Sequence, residues 1–373
     1  MSEHPALVVF EGTPGDSTTE QEFFAIRRGV VLDQLEQAKN AGIHRRILCT
    51  PDPQLQELAK AIGVEVECER PEEAVFHFGR RLLEVVEHRQ LQSVLYLGGA
   101  SAPLISSNDF RLLLSLMQGP PNLVVANNVH SADIVGFHPT DVLKRVTLPA
   151  IDNSLPFVLR HEGGYRNVTV PRLLSLNFDL DTPGDLPILA VHPALGRHTR
   201  GALAAIDLDT SRCERIQAIM FDPLKELILF GRVGAPLFQF LDEQTRCRVR
   251  LYSEERSMKA LGRDVRGEVC SLMGSLIEQL GFEGFFQLLA KAADGAVLDT
   301  RVLFAHWGWK LDQEDRFHSD WGRFGAIRHP GLKEFTEAAV HAPIPVLFGG
   351  HSLVAGGLWT LLDAGLRARG LPT

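Results

Sequence analysis

Through its first 190 residues this sequence alternates short apolar runs with stretches of helical spacing, and nothing else in it restricts the fold so strongly. Ala6 to Phe10 reads as a buried strand. Phe23 to Ala41 follows as a helix, with Val31, Leu35 and Ala38 on one stripe and Gly42 as its stop. Arg46 to Cys49 is the next strand, and Pro51 opens a helix carrying Leu55, Leu58, Ala59 and Ile62. Val64 to Val66 is a short strand, and the helix after Pro71 buries Ala74, Phe78, Leu82 and Val85. A strand at Val94 to Leu97, a helix from Asn108 carrying Phe110, Leu113, Leu114 and Met117, and a strand at Leu123 to Ala126 complete the series. The pattern predicts an α/β fold whose mainly parallel sheet is flanked by helices on both faces. Ligands of such sheets sit beyond the carboxyl ends of the strands. YLGGASAP, residues 96–103, lies at one of those ends.

A chain of 373 residues exceeds one ordinary domain, so two units are expected. The pattern changes near PILAVHPALGRH, residues 187–198, which predicts domains 1–195 and 196–373. The second is expected to be a helix-rich α/β domain. Its helices are read near 211–230, 264–280, 283–292 and 331–341, and its strands at Arg248 to Tyr252, Ala296 to Phe304 and Pro345 to Phe348. Thirty-eight basic against 46 acidic residues give a net charge of −8, which argues against a nucleic-acid or anionic-membrane surface and for a small-molecule partner. The five cysteines are scattered without a CxxC pair and are read as reduced thiols. The N-terminal MSEHPALVVFEG lacks the basic start and apolar length of a signal peptide, and no stretch reaches the ~18 apolar residues of a membrane span. A cytoplasmic protein is expected; the sequence carries no signal of oligomeric state.

Four stretches carry a resemblance. FDLDTPGDL (178–186) is the most specific; ALVVFEG (6–12), LGGASAPLI (97–105) and NSLPFVL (153–159) support it. Together they resemble the nucleotidyltransferases of the molybdenum cofactor guanylyltransferase and 2-phospholactate guanylyltransferase groups. Those groups end their sheet domain with an FDIDTPEDL-like stretch and carry GGDxPLL after an earlier strand. The likeness covers about half the chain, and no family is recognised for the rest. It implies a nucleotidyltransferase-like, Rossmann-like domain. The implied enzyme transfers a nucleoside monophosphate from a nucleoside triphosphate, or handles a nucleotide-linked substrate, with a small phosphorylated acceptor and release of pyrophosphate.

That chemistry needs Mg²⁺ and preorganised donors to meet the charge spreading over the phosphates. The resemblance draws one metal carboxylate from GGDxP and a second from the DxDTP segment. Here the first place falls on Ser101, while Asp179 and Asp181 hold the second. A hydroxyl brings no charge to offset the dehydration of the metal. Asp133, in ANNVHSADIVG, follows the next strand and is the candidate replacement. The family's LAxGxGxRxGxxK loop is altered to VVFEGTPGDSTTEQEFFAIRRG, in which Gly12 and Gly15 would cradle phosphates and Arg27 and Arg28 would supply positive charge. On this reading Asp179, Asp181 and Arg27 are catalytic, Asp133, Asp179 and Asp181 hold the metal, and Gly98, Gly99 and Ser101 line the ligand loop. The plainer readings stand beside it. DTPGDL suits a helix start, with Thr182 or Asp181 as N-cap, Pro183 at the first position and Asp185 against the dipole. GGASAP is equally a tight turn, and Arg27 and Arg28 equally a solvated helix face.

The second half carries its own candidates. VLDTRVLFAHWGW (297–309) holds Asp299, Arg301 and His306, and DQEDRFHSDWGR (312–323) holds Asp312, Asp315, Arg316, His318 and Asp320. PVLFGGHSLVAGGL (345–358) reads as strand, glycine turn and helix, which would offer free N–H groups to an anion at Gly349, Gly350 and His351. All four tryptophans, Trp307, Trp309, Trp321 and Trp359, lie here too, at a partner site or an internal interface. RLYSEERSMKALGRDVRGE (250–268) is either a solvated helix or, through Arg256, Lys259 and Arg263, a phosphate grip. Three functions follow: an active nucleotidyltransferase, a catalytically silent scaffold of that fold acting as a binding or regulatory protein, or a separate phosphate or metal site in the second domain using His306, Asp320 and His351.

Overall fold

The computed structural model describes residues 5–68, 76–129, 132–259 and 261–371, divided between two units. The first comprises Met1–Gly15, Phe24–Asn177 and Gly196–Ala202, the second Asp16–Phe23, Phe178–Leu195 and Leu203–Thr373.

In order, the chain forms β1 (Ala6–Phe10), α1 (Thr18–Asn40), β2 (Arg46–Cys49), α2 (Pro53–Ala61), β3 (Glu65–Glu67), α3 (Phe78–His88), β4 (Val94–Gly98), α4 (Ser107–Leu116), β5 (Leu123–Ala126), β6 (Ile134–His138), α5 (Leu155–His161) and β7 (Arg166–Thr169). These strands make one seven-stranded sheet, ordered β3-β2-β1-β4-β6-β5-β7. It is parallel except at β6, which runs antiparallel to both β4 and β5. Alternating side chains of β1 enter two cores: Leu7 and Val9 on one face, Ala6, Val8 and Phe10 on the other. β4 divides the same way, Leu95 and Leu97 against Val94 and Tyr96. A strand buried on both faces must read as a continuous apolar run, and each fully buried aliphatic side chain contributes about 1.5–3 kcal/mol. Local chemistry fixes the helix starts. Asp52 caps α2 ahead of Pro53, and Ser106 with Asp109 forms a capping box on α4.

The second unit adds α6 (Leu186–Ala190), α7 (Arg197–Leu203, mostly counted with the first unit), α8 (Ser211–Met220), β8 (Glu226–Gly231), α9 (Ala235–Gln244), β9 (Arg248–Ser253), α10 (Leu272–Ala292), β10 (Gly295–Asp299), α11 (Thr300–His306), α12 (Gln313–Asp320), α13 (Pro330–Val340), β11 (Val346–Gly349) and α14 (Gly356–Ala368). Its sheet is parallel throughout, ordered β11-β10-β8-β9. Ile228, Phe230, Ala296, Leu298, Val346 and Phe348 build its main core.

The α/β reading of both halves holds, with three corrections. The stretch 211–230 is not one helix: α8 ends at Met220, and the buried run after Glu226 is β8. Residues 264–270 are not helical, since α10 starts at Leu272 behind the Ser271 cap. The strand expected at 296–304 stops at Asp299, whose side chain caps α11 by accepting from the Arg301 N–H. Ala74 lies outside the described residues. No described helix is long and apolar enough to cross a membrane.

Candidate functional site

In the first unit, polar groups gather where β1 and β4 end side by side. The Gly99 N–H donates to the Phe10 carbonyl at 2.7 Å, joining the turn after β4 to β1. Glu11, immediately beyond β1, is buried, and Arg27 grips it through Nε at 3.3 Å and one terminal nitrogen at 2.9 and 3.1 Å. The same terminal nitrogen donates to the Gly99 carbonyl at 3.0 Å. Arg27 is therefore no solvated helix residue; it ties both strand ends together. Arg28 is likewise engaged, with Asp52. Gly12 is exposed, with open space where a Cβ would point, while its N–H donates to Glu11 Oε1 at 2.9 Å. Gly15 is half-buried.

The GGASAP turn is more constrained than an ordinary tight turn. Ala100 and Ala102 both have left-handed backbones, φ 55° and 50°, an arrangement costly for a residue with a Cβ and found where surrounding structure enforces it. A Cβ on Gly99 would lie 2.6 Å from the Phe10 carbonyl oxygen and 2.5 Å from Glu11 Oε2, so the position requires glycine. Gly99→Ala is expected to destabilise the unit by about 1–3 kcal/mol, read as a lower urea midpoint with unchanged slope.

Ser101 is buried, its hydroxyl donating to the Gly98 carbonyl at 2.6 Å. A carboxylate lies beside the Gly98 turn. The direction of its absent Cβ points to Ser101 Oγ at 3.5 Å, Asp152 Oδ2 at 3.6 Å and the Asp133 carbonyl oxygen at 3.8 Å. Asp133 reaches this edge because β6 runs backwards: the residue before it lands beside the end of β4, where its carbonyl accepts from the Gly98 N–H at 2.9 Å. Asp152 is held by the Tyr96 hydroxyl, which donates to Oδ2 at 2.8 Å. Burial, then the charge of Asp152, and further Asp133 and Glu11, keep the Tyr96 phenol well above its ordinary pKa, so it stays a proton donor. Glu11, Tyr96 and Asp152 were missed in the sequence. The signals were an acid closing the first strand and an acid just before NSLPFVL.

Asp179, Asp181, Gly349, Gly350 and His351 belong to the second unit. Asp179 is half-buried and Asp181 exposed. The DTPGD stretch forms the expected cap: Thr182 and Asp185 make a capping box, and the N–H groups of Asp181 and Thr182 donate to Asp185 Oδ2 at 3.1 and 2.8 Å. Ser352 donates to both Asp185 oxygens at 2.7 and 2.8 Å. Gly349 and Gly350 are not at the start of an α-helix. One turn of 3-10 helix follows, and α14 begins only at Gly356. The glycines serve close packing, since a Cβ on Gly350 would sit 2.9 Å from Thr182 Cγ2 and one on Gly184 would sit 3.2 Å from the Phe348 carbonyl. His351 is exposed at the rim, yet crowding on its protein side, then Arg232, hold its pKa below the ordinary value.

Strand order reverses between β8 and β10, the place where parallel sheets open a crevice. In this unit a buried ion pair occupies that place: Arg232 donates to Asp299 from Nε at 2.6 Å and from a terminal nitrogen at 3.0 Å. Arg301 pairs in turn with buried Asp320. The three histidines do not share a site. His306 faces Glu278, His318 contacts Thr19, and His351 stands near Arg232 and Asp299. The tryptophans separate too: Trp359 stacks on Phe240, Trp321 lies under Arg323, and Trp307 pairs with Trp309. Among the described residues, the group of three ligating side chains close enough to share an ion is Asp33, Glu36 and His198, in the first unit. There Asp33 accepts from the Thr199 hydroxyl and from the His198 and Thr199 N–H groups, and Glu36 pairs with Arg197; both fasten the first turn of α7.

No family model matches the chain, and no curated protein matches it. Among solved structures, it is similar to a cytidylyltransferase from Leptospira borgpetersenii, at 17% identity over 54% of this chain and 93% of that one, TM-score 0.38. A nucleotidyl transferase from Methanothermobacter thermautotroptrophicus shows 16% identity over 47% and 91%, TM-score 0.36. A CMP:2-keto-3-deoxy-manno-octonic acid synthetase complexed with CTP shows 17% over 45% and 90%, TM-score 0.33. Likenesses of this strength do not extend to activity.

Proposed function

We propose that the protein is a nucleotidyltransferase, moving a nucleoside monophosphate from a nucleoside triphosphate to a small phosphorylated acceptor, in the manner of the two guanylyltransferase groups its motifs resemble. One observation carries this reading: Asp152 brings a carboxylate to the Gly98 turn, where the sequence has Ser101 in place of the family acid. In the reaction an acceptor phosphate oxygen bonds to the α-phosphorus, the α–β P–O bond breaks, and pyrophosphate leaves. Mg²⁺ fits the donor chemistry of this edge, which is made of hard oxygens. Asp152 and Asp133 would hold it, and when bound it neutralises the charge spread over the phosphates. Tyr96 fixes the Asp152 carboxylate, Arg27 fixes the two strand ends, and exposed Gly12 leaves room for a phosphate to approach the backbone.

The test is calorimetric titration with each of the four nucleoside triphosphates and Mg²⁺, together with pyrophosphate release using 2-phospholactate as acceptor. Asp152→Asn is expected to cut turnover on the order of 100-fold while the melting temperature stays near that of the parent. No nucleotide binding at millimolar concentration overturns the proposal. Nucleotide binding without turnover, unaltered in Asp152→Asn, supports the silent scaffold instead.

A further inference from the structure

The second unit contains a cleft of about 500 Å³ between α10, the end of α11 and α13, lined by Phe282, Trp307, Trp309, Glu278, Glu334 and His306. α10 is kinked at Gly281, which has φ 70° and ψ 167° and lines the cleft beside Phe282. Trp307 and Trp309 lie with ring centroids 4.6 Å apart at 38°, and Phe282 stands nearly perpendicular to both, at 77° and 71°. The three rings pack into one aromatic cluster that lines the cleft. All three side chains are only half-buried, and leaving them so is costly without a ligand.

The walls carry one sign of charge. Glu278 and Glu334 are exposed, and among the described residues no Lys or Arg forms an ion pair with either. His306 Nδ1 accepts from the Ser271 N–H at 3.2 Å. Its Nε2 is buried without a hydrogen-bond partner, and Glu278 lies 3.6 Å away, beyond hydrogen-bond reach. Aromatic faces attract cations through their quadrupole, and carboxylates at the mouth add attraction without demanding a hydrogen bond.

We propose that this cleft binds an alkylated ammonium group, with its methyl groups against Trp307, Trp309 and Phe282 and its charge facing Glu278 and Glu334. The group belongs either to a free small molecule or to a methylated lysine side chain; the chemistry is shared. The 373-residue chain is titrated, following tryptophan fluorescence and chemical shifts, with choline, with N-acetyl-trimethyllysine amide, and with 3,3-dimethylbutanol, which has the shape of choline without the charge. At least one cation is expected to bind five-fold or more tightly than the neutral alcohol, and the tighter of the two assigns the source. Glu278→Gln/Glu334→Gln changes only exposed side chains and preserves folding; it is expected to erase that preference. Trp307→Leu is expected to abolish binding. Equal binding of choline and the alcohol, binding by neither cation, or a preference unchanged in the double variant overturns the proposal.

Discussion

Asp299→Ala is expected to destabilise the second unit by about 3–5 kcal/mol, because it leaves the buried Arg232 guanidinium without its counter-charge. For a unit of this size that corresponds to a fall of roughly 10 °C in melting temperature. The loss has three parts: two charge-assisted hydrogen bonds from Arg232, the cap on α11, and the desolvation of a cation that remains inside. The third dominates, so removing both charges should cost less than removing one. Arg232→Met/Asp299→Ala is expected to recover a substantial part of the stability, measured by thermal melts and denaturant titration. A double variant no more stable than Asp299→Ala would show that the charge is not the cause. The same ion pair fills the place where a parallel sheet of this order ordinarily admits a ligand.

Stability should also depend on pH through Asp185. Burial, then the neighbouring charge of Asp181, push its pKa up to about 7, against the opposing effect of its hydrogen bonds to Ser352 and Thr182. In the unfolded chain an aspartate titrates near 3.9. Between those values the folded form binds the proton and the unfolded form does not, so stability falls as pH rises from about 4 to about 7 and is level above. A shift of about three units corresponds to roughly 4 kcal/mol at most. Asp185→Asn cannot ionise and keeps an acceptor for the Thr182 N–H. The stability difference between parent and variant is therefore expected to favour the parent near pH 5 and to shrink or reverse by pH 8. A difference that stays flat over that range would mean Asp185 is already ionised at pH 5.

Five of the seven strands of the first unit were legible because their physical signal is local; β6 and β7 were not read. Ala6–Phe10 and Leu123–Ala126 are continuous apolar runs, and Ile47, Leu48 and Cys49 follow Arg46 in the same way, as burial on both faces demands. The same signal misled at 221–230, where Leu227 to Phe230 is too short a run for periodicity to separate strand from helix. The direction of β6 was not legible, because it depends on pairing partners distant in sequence. The site divides along the same line. The Gly98–Gly99 turn and Ser101 were found from their own stretch, whereas Asp152 enters through the fold, and the Glu11–Arg27 grip depends on how α1 returns past β1. Arg232 went unread for a plainer reason: the strand that presents it was taken for a helix.

The partnership of Asp185 with Ser352 has a consequence for synthesis. The two lie 167 residues apart. At ordinary translation rates roughly ten to thirty seconds separate their emergence from the ribosome. Until β11 and the turn after it are made, the DTPGD stretch has no glycine surface to close against, and its acid remains in water, charged. The second sheet thus receives β11 only long after the DTPGD stretch has emerged, so a chain stalled shortly before residue 346 would present this stretch, uncovered, to chaperones and proteases.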